Sequence, residues 1–189
     1  MNKYFLDHLL RFKLPITIFV AIIAFTVTYF VSRSERDGVG YAPEQPIKFS
    51  HQLHAGQMKI DCEYCHTDVT KSRHASVPAT NVCMNCHAIA RKDRPEIIKL
   101  TKYFNEGKPI PWVRIHRVAD FAYFNHSVHV NKGIACASCH GDIAQMDKVG
   151  QMNSFTMGAC LTCHRNVHQK FPELKNVKLG PENCAACHR

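Results

Sequence analysis

The chain has 189 residues, enough for one or two small domains, and it carries ten cysteines and a formal net charge of +9. Ten cysteines are far too many for an ordinary cytosolic enzyme, so they require a chemical explanation. The positive charge alone would suggest nucleic acid. However, the sequence has no helix-turn-helix pattern and no interleaving of aromatic and basic residues, so we expect no nucleic-acid partner.

An apolar segment lies near the start of the chain. Residues 14–31 contain no charged side chain and would be about 27 Å long as a helix, just long enough to span a bilayer. Lys3, Arg11 and Lys13 precede it, and the positive-inside rule therefore places residues 1–13 in the cytoplasm. A cleaved signal peptide is the alternative, but no small-x-small site follows the apolar run. We expect a retained single-pass anchor in the inner (cytoplasmic) membrane, with the remaining chain on the periplasmic side.

Beyond a predicted irregular tether, residues 32–48, all ten cysteines fall in five Cys-x-x-Cys-His motifs. This spacing is typical of covalent haem attachment, in which two thiols add to the porphyrin vinyl groups and the adjacent imidazole becomes the proximal iron ligand. The predicted attachment residues are Cys62, Cys65, Cys83, Cys86, Cys136, Cys139, Cys160, Cys163, Cys184 and Cys187. The predicted proximal ligands are His66, His87, His140, His164 and His188.

Two other uses of these cysteines are weaker. Zinc knuckles contain Cys-x-x-Cys, but they give no reason for a histidine after every pair, and an odd number of knuckles pairs badly. Cysteines so closely spaced rarely bridge each other outside redox motifs, which argues against a disulfide framework. We therefore predict five covalently attached c-type haems, whose propionates would largely offset the basic excess.

A Phe-x-His-x-x-His element occurs twice, at residues 49–54 and 124–129, and haem motifs follow each copy. Histidines three positions apart lie on one helical turn, so they can reach toward two different irons. We predict a first two-haem module at residues 49–94 and a second module with haems three to five at residues 124–189. Residues 95–123 would join them as a linker helix, opened by Pro95 and closed by Gly107, and an extended segment.

The fold class follows from this haem load. Residues 49–189 are too few to build a conventional apolar core around five porphyrins, so the haems themselves would form the core. We predict a mostly irregular chain with short α-helices around stacked haems, in addition to one N-terminal transmembrane helix.

The Phe-x-His-x-x-His elements ahead of closely spaced Cys-x-x-Cys-His motifs resemble the multihaem cytochromes of the c7 and c3 type. In those families the first histidine ligates the haem that follows, and the second ligates the next haem of the module. The resemblance implies that the distal ligands of the haems at Cys62, Cys83, Cys136 and Cys160 are His51, His54, His126 and His129, respectively.

The distal ligand of the fifth haem stays open. The c7 pattern places it at Thr156, which is not a ligand, but Met157 is the next residue, and a methionine would raise the potential of that haem. His116 lies in a segment beside the only tryptophan, and His74 and His168 are also available. We include His116 and Met157 among the predicted metal ligands.

Over its full length, the sequence resembles the membrane-anchored pentahaem cytochromes of alternative complex III, a bacterial quinol oxidase. The resemblance rests on the anchor, the five motifs, the two histidine elements and the "WVRIH", "FNHSVHV", "CASCHG" and "MGACLTCHR" segments. The multihaem subunit of the quinone reductase complex is similar but carries a sixth haem. The resemblance implies partners in a membrane respiratory complex: an iron-sulfur subunit, polytopic quinol-binding subunits and a monohaem cytochrome c.

The predicted function is electron transfer from a quinol-oxidising membrane complex toward a periplasmic cytochrome or terminal oxidase. Every motif supplies a proximal histidine, and seven further histidines beyond the anchor are available for the five sixth positions, so an open catalytic iron is not expected. The chain is thus predicted not to be an enzyme on its own. The alternative is a self-sufficient, membrane-anchored quinol dehydrogenase that feeds a periplasmic reductase.

Overall fold

The structure is a computed structural model that describes residues 7–188, although not the side chains of residues 33–36. The chain forms two compact units, one ending at Gly38 and the other beginning at Val39. Residues 1–6 of the predicted cytoplasmic segment, and the terminal residue of the predicted second module, lie outside the described residues.

The first unit is a single long helix. A π-helical turn at Leu9–Lys13 leads directly into helix α1, Leu14–Asp37. The stretch Leu9–Ser32 has a mean hydropathy of 2.3 and is long and apolar enough to cross a membrane. The hydroxyls of Thr17 and Thr26 donate to carbonyls four residues earlier, so these polar groups are satisfied within the helix, as an apolar environment requires.

The helix is longer than expected, because residues 32–37 of the predicted irregular tether continue it. Residues 32–37 contain no proline or glycine, and Gly38 has a φ of 71°, the left-handed conformation that ends many helices. The irregular part of the predicted tether therefore begins at Gly38.

The second unit consists of short helices joined by irregular segments, and residues 39–188 contain no β-strand. Two non-α turns occur, a π-helical turn at Gln52–Gln57 and a 3₁₀ turn at Ile143–Gln145. The helices are α2 (Cys62–Cys65), α3 (Thr80–His87), α4 (Pro95–Asn105), α5 (His126–Val130), α6 (Ala137–His140), α7 (Met157–Arg165), α8 (Val167–Lys170) and α9 (Cys184–Cys187).

Helix α4 begins at Pro95, as predicted, because proline lacks the N–H that the first helical turn leaves unpaired. It ends at Asn105, and Gly107 follows with a φ of 64°. Leu100 is 4% exposed and packs with Ile47 and Ile110, while Met84 of α3 lies against the same cluster. This small cluster holds α3, which carries the second haem motif, against α4.

The apolar core of the second unit is small. Its fully buried apolar side chains, among the described residues, are Ile47, Val69, Leu100, Ile110, Val167 and Phe171. Six such side chains are few for about 150 residues, so side-chain burial alone stabilises this unit weakly. The observed mixture of short helices and irregular segments agrees with the predicted fold class.

Replacing Leu100 with alanine should lower the free energy of unfolding by about 2–5 kcal/mol, because it leaves a cavity in the largest apolar cluster of this unit. Guanidinium unfolding of the purified protein, monitored by circular dichroism, would measure the change. Lys99→Ala is the matched control on the same helix, since the Lys99 side chain is 52% exposed, and it should change the free energy of unfolding by no more than about 0.5 kcal/mol. Equal losses in the two variants would show that the Leu100 cluster does not hold the unit together.

Candidate haem-binding site

The two Phe-x-His-x-x-His elements fold into matching turns. The Phe49 ring meets the His51 ring edge-on at 4.9 Å and 87°, and Phe124 meets His126 at 4.8 Å and 87°. Phe49 stacks on His54 at 4.3 Å and 25°, and Phe124 stacks on His129 at 4.6 Å and 28°. The phenylalanine therefore sets the orientation of both imidazoles in each turn, a role that the sequence repeat signalled but that we had not assigned.

The second histidine of each turn is also fixed by a hydrogen bond. His54 Nδ1 lies 2.8 Å from the carbonyl oxygen of Ser50, and His129 Nδ1 lies 2.7 Å from that of Asn125. A carbonyl can only accept, so Nδ1 carries the proton and Nε2 keeps its lone pair. Metal-ligating histidines are held in this way, with one ring nitrogen bonded to an acceptor and the other free for the metal.

Motif histidines follow the same rule. Four of the five predicted proximal ligands place Nδ1 on a backbone carbonyl at 2.6–3.1 Å. The pairs are His66 with Ser76, His87 with Ala90, His164 with Pro181 and His188 with Phe121. His126 does the same with the carbonyl of Arg73, at 2.8 Å. In each of these rings, Nε2 therefore keeps a lone pair that can bind a metal ion.

Three predicted distal histidines face a predicted proximal histidine. The ring centres are 6.2 Å apart for His54 and His87, 6.4 Å for His126 and His140, and 6.2 Å for His129 and His164. Two imidazoles on opposite sides of one metal ion have ring centres roughly 6 Å apart, because each metal–nitrogen bond is about 2 Å. The residues present therefore fit a haem iron held between each pair.

His51 lies near the remaining motif histidine of the first module. Burial, followed by the charges of His66, His54 and His116, lowers the pKa of His51 to about 4. Burial, followed by His116, His126 and His66, likewise lowers the pKa of His140 to about 4. Both imidazoles are thus neutral at pH 7, which is the form that ligates metals.

The cysteines are available for attachment. All ten are described and all carry free thiols, so the chain contains no disulfide among them. Within residues 7–188, no three histidine, cysteine, aspartate or glutamate side chains converge on a point where a bare metal ion would sit.

Open space lies beside two of the motifs. A cavity of about 590 Å³ is lined by residues of α3 and α4, including Met84, His87, Ile98, Lys92 and Lys102. A second cavity of about 600 Å³ is lined by residues around α7 and α8, including Gly158, Thr162, Cys163 and Lys170. Both have the size of small-molecule sites. Each combines apolar walls with lysines, as a flat apolar group with carboxylate substituents requires.

The candidates for the fifth distal position lie in different places. The His116 ring contacts the His140 ring edge-on at 4.4 Å, a separation too short for two ligands of one iron, and its buried Nε2 has no partner among the described residues. Met157 opens α7 and is 66% exposed. His74 and His168 are exposed. The described ring contact of the proximal His188 is with Phe121, at 5.6 Å.

Comparison with known proteins identifies similar chains. Residues 122–189 match the family model described as cytochrome c7 and related cytochrome c. The chain is 26% identical over 167 residues, 77% of each sequence, to a protein of Nitratidesulfovibrio vulgaris named "Menaquinone reductase, multiheme cytochrome c subunit". It is also 26% identical over 146 residues to the "High-molecular-weight cytochrome c" of the same organism, covering 68% of this chain but only 25% of that protein.

These matches agree with the geometry. The c7 match covers the second module, which contains the second Phe-x-His-x-x-His turn and the last three motifs. The alignment with the menaquinone reductase subunit extends well beyond this module, since it covers 77% of the chain. The chain is thus similar, over residues 122–189, to cytochromes of the c7 type, and over 77% of its length to a protein named as the multihaem cytochrome c subunit of a menaquinone reductase.

Proposed function

We propose that this chain is the pentahaem electron-transfer subunit of a quinol-oxidising membrane complex of the alternative complex III type. When bound, each haem supplies an iron that accepts or passes one electron without moving a proton. Electrons would travel toward a periplasmic cytochrome or terminal oxidase. The proposed partners are an iron-sulfur subunit, polytopic quinol-binding subunits and a monohaem cytochrome c. The chain would sit in the inner membrane through α1, with its haem-binding unit in the periplasm.

The observation that carries this proposal is the separation of 6.2–6.4 Å between three predicted distal and proximal histidine pairs. An iron held between two imidazoles has no vacant position for a substrate, so it serves electron transfer. Together with His51 beside His66, these pairs account for the ligands of four irons. We propose that His51, His54, His126 and His129 are the four distal ligands.

The membrane segment supports a carrier rather than a quinol-oxidising enzyme. Oxidation of one quinol releases two electrons and two protons, and the protons need a nearby acceptor. Residues 14–31 contain no carboxylate, histidine, lysine or arginine. Among the described residues before the span, the Asp7 carboxylate pairs with Arg11 at 2.8 Å. Proton acceptance is therefore assigned to the partner subunits.

A second direction of electron flow is favoured by one relative. The homologue that aligns over 77% of both chains is named as a subunit of a menaquinone reductase. In that role the same haems would carry electrons toward the quinone instead of away from it. The ligand geometry serves both directions, because the potentials of the haems and of the partners decide which one is favourable.

For the fifth haem we propose Met157 as the distal ligand. Burial raises the pKa of the Cys160 thiol, and the neighbouring Cys187 thiol raises it further, so the start of α7 lies near the fifth motif. Met157 stands three residues before Cys160, with its side chain unpacked. His116 instead lies against His140, and the backbone of Gly150 hydrogen-bonds its ring.

Replacing His126 with alanine should make one haem high-spin and able to bind carbon monoxide, because it removes one of two axial ligands. Absorption and electron paramagnetic resonance (EPR) spectra of the purified protein would detect this change. His168→Ala is the control, since His168 is exposed on α8, and it should leave every haem low-spin. The denatured mass of both variants should equal the polypeptide plus five haems. Identical spectra for the two variants would contradict the ligand assignment, and a different haem number would contradict the count.

Replacing Met157 with alanine should convert a different haem to the high-spin form and lower its reduction potential, because a methionine ligand raises the potential. Redox titration with EPR detection would measure both effects. Met152→Ala is the control, since Met152 is also exposed, at 55%. His116→Ala should leave all five haems low-spin. If His116→Ala opens the fifth haem and Met157→Ala does not, the ligand is His116.

The isolated chain should be reduced by dithionite and by small redox mediators, yet show negligible turnover with a soluble quinol analogue and cytochrome c. The reason is that residues 14–31 carry no carboxylate or histidine that could accept the protons of the quinol. Stopped-flow and steady-state assays on the full-length chain in detergent would test this. Sustained turnover by the isolated chain, abolished by a quinol-site inhibitor, would establish the alternative, a self-sufficient quinol dehydrogenase that feeds a periplasmic reductase.

A further inference from the structure

We infer that electrons do not cross this chain in the order of its motifs: the path runs from the second motif to the first, then to the third, and from there to the fourth and fifth. The first and third motifs form the junction between the two halves. This inference rests on the proposed function as an electron carrier. Each step moves one electron from a ferrous iron to the next ferric iron, with no bond formed or broken and no proton transferred.

The second and first motifs share one ligand turn. His51 and His54 lie three residues apart at the π-helical turn Gln52–Gln57, and the His54 ring faces His87 of the second motif. Asn85, inside the second motif, donates from its amide nitrogen to the hydroxyl of Tyr64, inside the first motif, at 3.1 Å. The first two motifs are therefore direct neighbours.

The first motif is joined to the third by a network of backbone hydrogen bonds. Residues 70–73, which follow the first motif, supply carbonyls to α5, the turn that carries the ligand of the third motif. The His126 backbone N–H and Nδ1 both donate to Arg73, at 3.2 and 2.8 Å. The other two bonds run from the Ser127 N–H to Ser72, at 3.1 Å, and from the Asn131 amide to Thr70, at 2.9 Å.

Two further contacts tighten this junction. Burial, followed by the neighbouring Cys136 thiol, raises the pKa of the Cys62 thiol, so the leading cysteines of the third and first motifs lie close together. The Gln52 backbone N–H donates to the carbonyl of Met146, at 2.9 Å, which brings the first ligand turn against the segment after the third motif. Gly56 in that turn packs so closely on the backbone of Ala144 that a side chain would not fit.

The third motif leads to the last two. His126 and His129 share α5, and their rings face His140 and His164. The segment before the fifth motif wraps the fourth: His164 Nδ1 donates to the carbonyl of Pro181 at 2.8 Å, and Arg165 pairs with Glu182 at 2.7 Å. Along the proposed path, the second motif is thus the farthest from the fourth and fifth motifs.

Carbon monoxide photolysis tests this order. His54→Ala should open the second haem, which then binds carbon monoxide when the protein is partly reduced. A light flash releases the carbon monoxide, which lowers the reduction potential of that haem. Its electron then moves to the oxidised neighbouring haems, and optical absorption follows this movement. Removing the first haem with Cys62→Ala and Cys65→Ala should slow this movement by at least an order of magnitude.

The matched control removes the fifth haem with Cys184→Ala and Cys187→Ala in the same His54→Ala background. This variant should slow the movement far less than loss of the first haem does, because the fifth motif does not lie between the second and third. An unchanged rate after loss of the first haem would overturn the proposed order. If His54→Ala binds no carbon monoxide at all, the ligand assignment of the proposed function is what fails.

A second measurement keeps every haem in place, so it does not depend on the folding of haem-deleted variants. In the fully ferric protein, His51→Ala places a high-spin iron at the first position, and His54→Ala places one at the second. The first variant should broaden the EPR signals of two neighbouring haems, and the second variant those of only one. Equal broadening in the two variants would overturn the order, whatever the carbon monoxide result.

Discussion

The hydrogen bond from an imidazole Nδ1 to a backbone carbonyl is the interaction on which the rest of the haem-binding unit depends. It recurs at His54, His129 and His126, and at four of the five motif histidines. Each such bond fixes the tautomer and aims Nε2, so the chain is folded around the directions of its ligand rings. The carbonyls come from loops and turns, which explains why regular secondary structure is short here.

This constraint also explains the small apolar core. Only a few side chains are fully buried, and the largest cluster, around Leu100, serves chiefly to hold α3 against α4. Several apolar residues beside the motifs are more than half exposed, such as Met157 at 66% and Ile98 at 57%. Bound porphyrins would cover such surfaces, so the haems would complete a core that the polypeptide leaves open.

Features that follow from local spacing could be predicted from the sequence. Pro95 and Gly107 predicted where α4 begins and ends. The repeated Phe-x-His-x-x-His element predicted two equivalent ligand turns. Features that depend on distant segments could not be predicted from the sequence, such as the proximity of Cys62 to Cys136 or the ring contact of His116 with His140. The N-terminal helix is also longer than the sequence predicts, because hydropathy falls after residue 31 whereas the helical backbone continues to Asp37.

The two ligand turns are locally equivalent but differ in what surrounds them, and this difference determines how the two modules meet. The first turn packs on the segment after the third motif, through Gln52 and Gly56, whereas α5 packs on the segment after the first motif, through His126. The contacts are reciprocal, so each module positions a ligand turn of the other. Neither module is expected to hold its irons correctly alone, and the junction between them is where a change in packing would alter electron transfer most. The same junction serves quinol oxidation and quinone reduction equally, because it moves electrons only. The direction of flow is therefore a property of the partners and of the haem potentials, and the fold supplies the path.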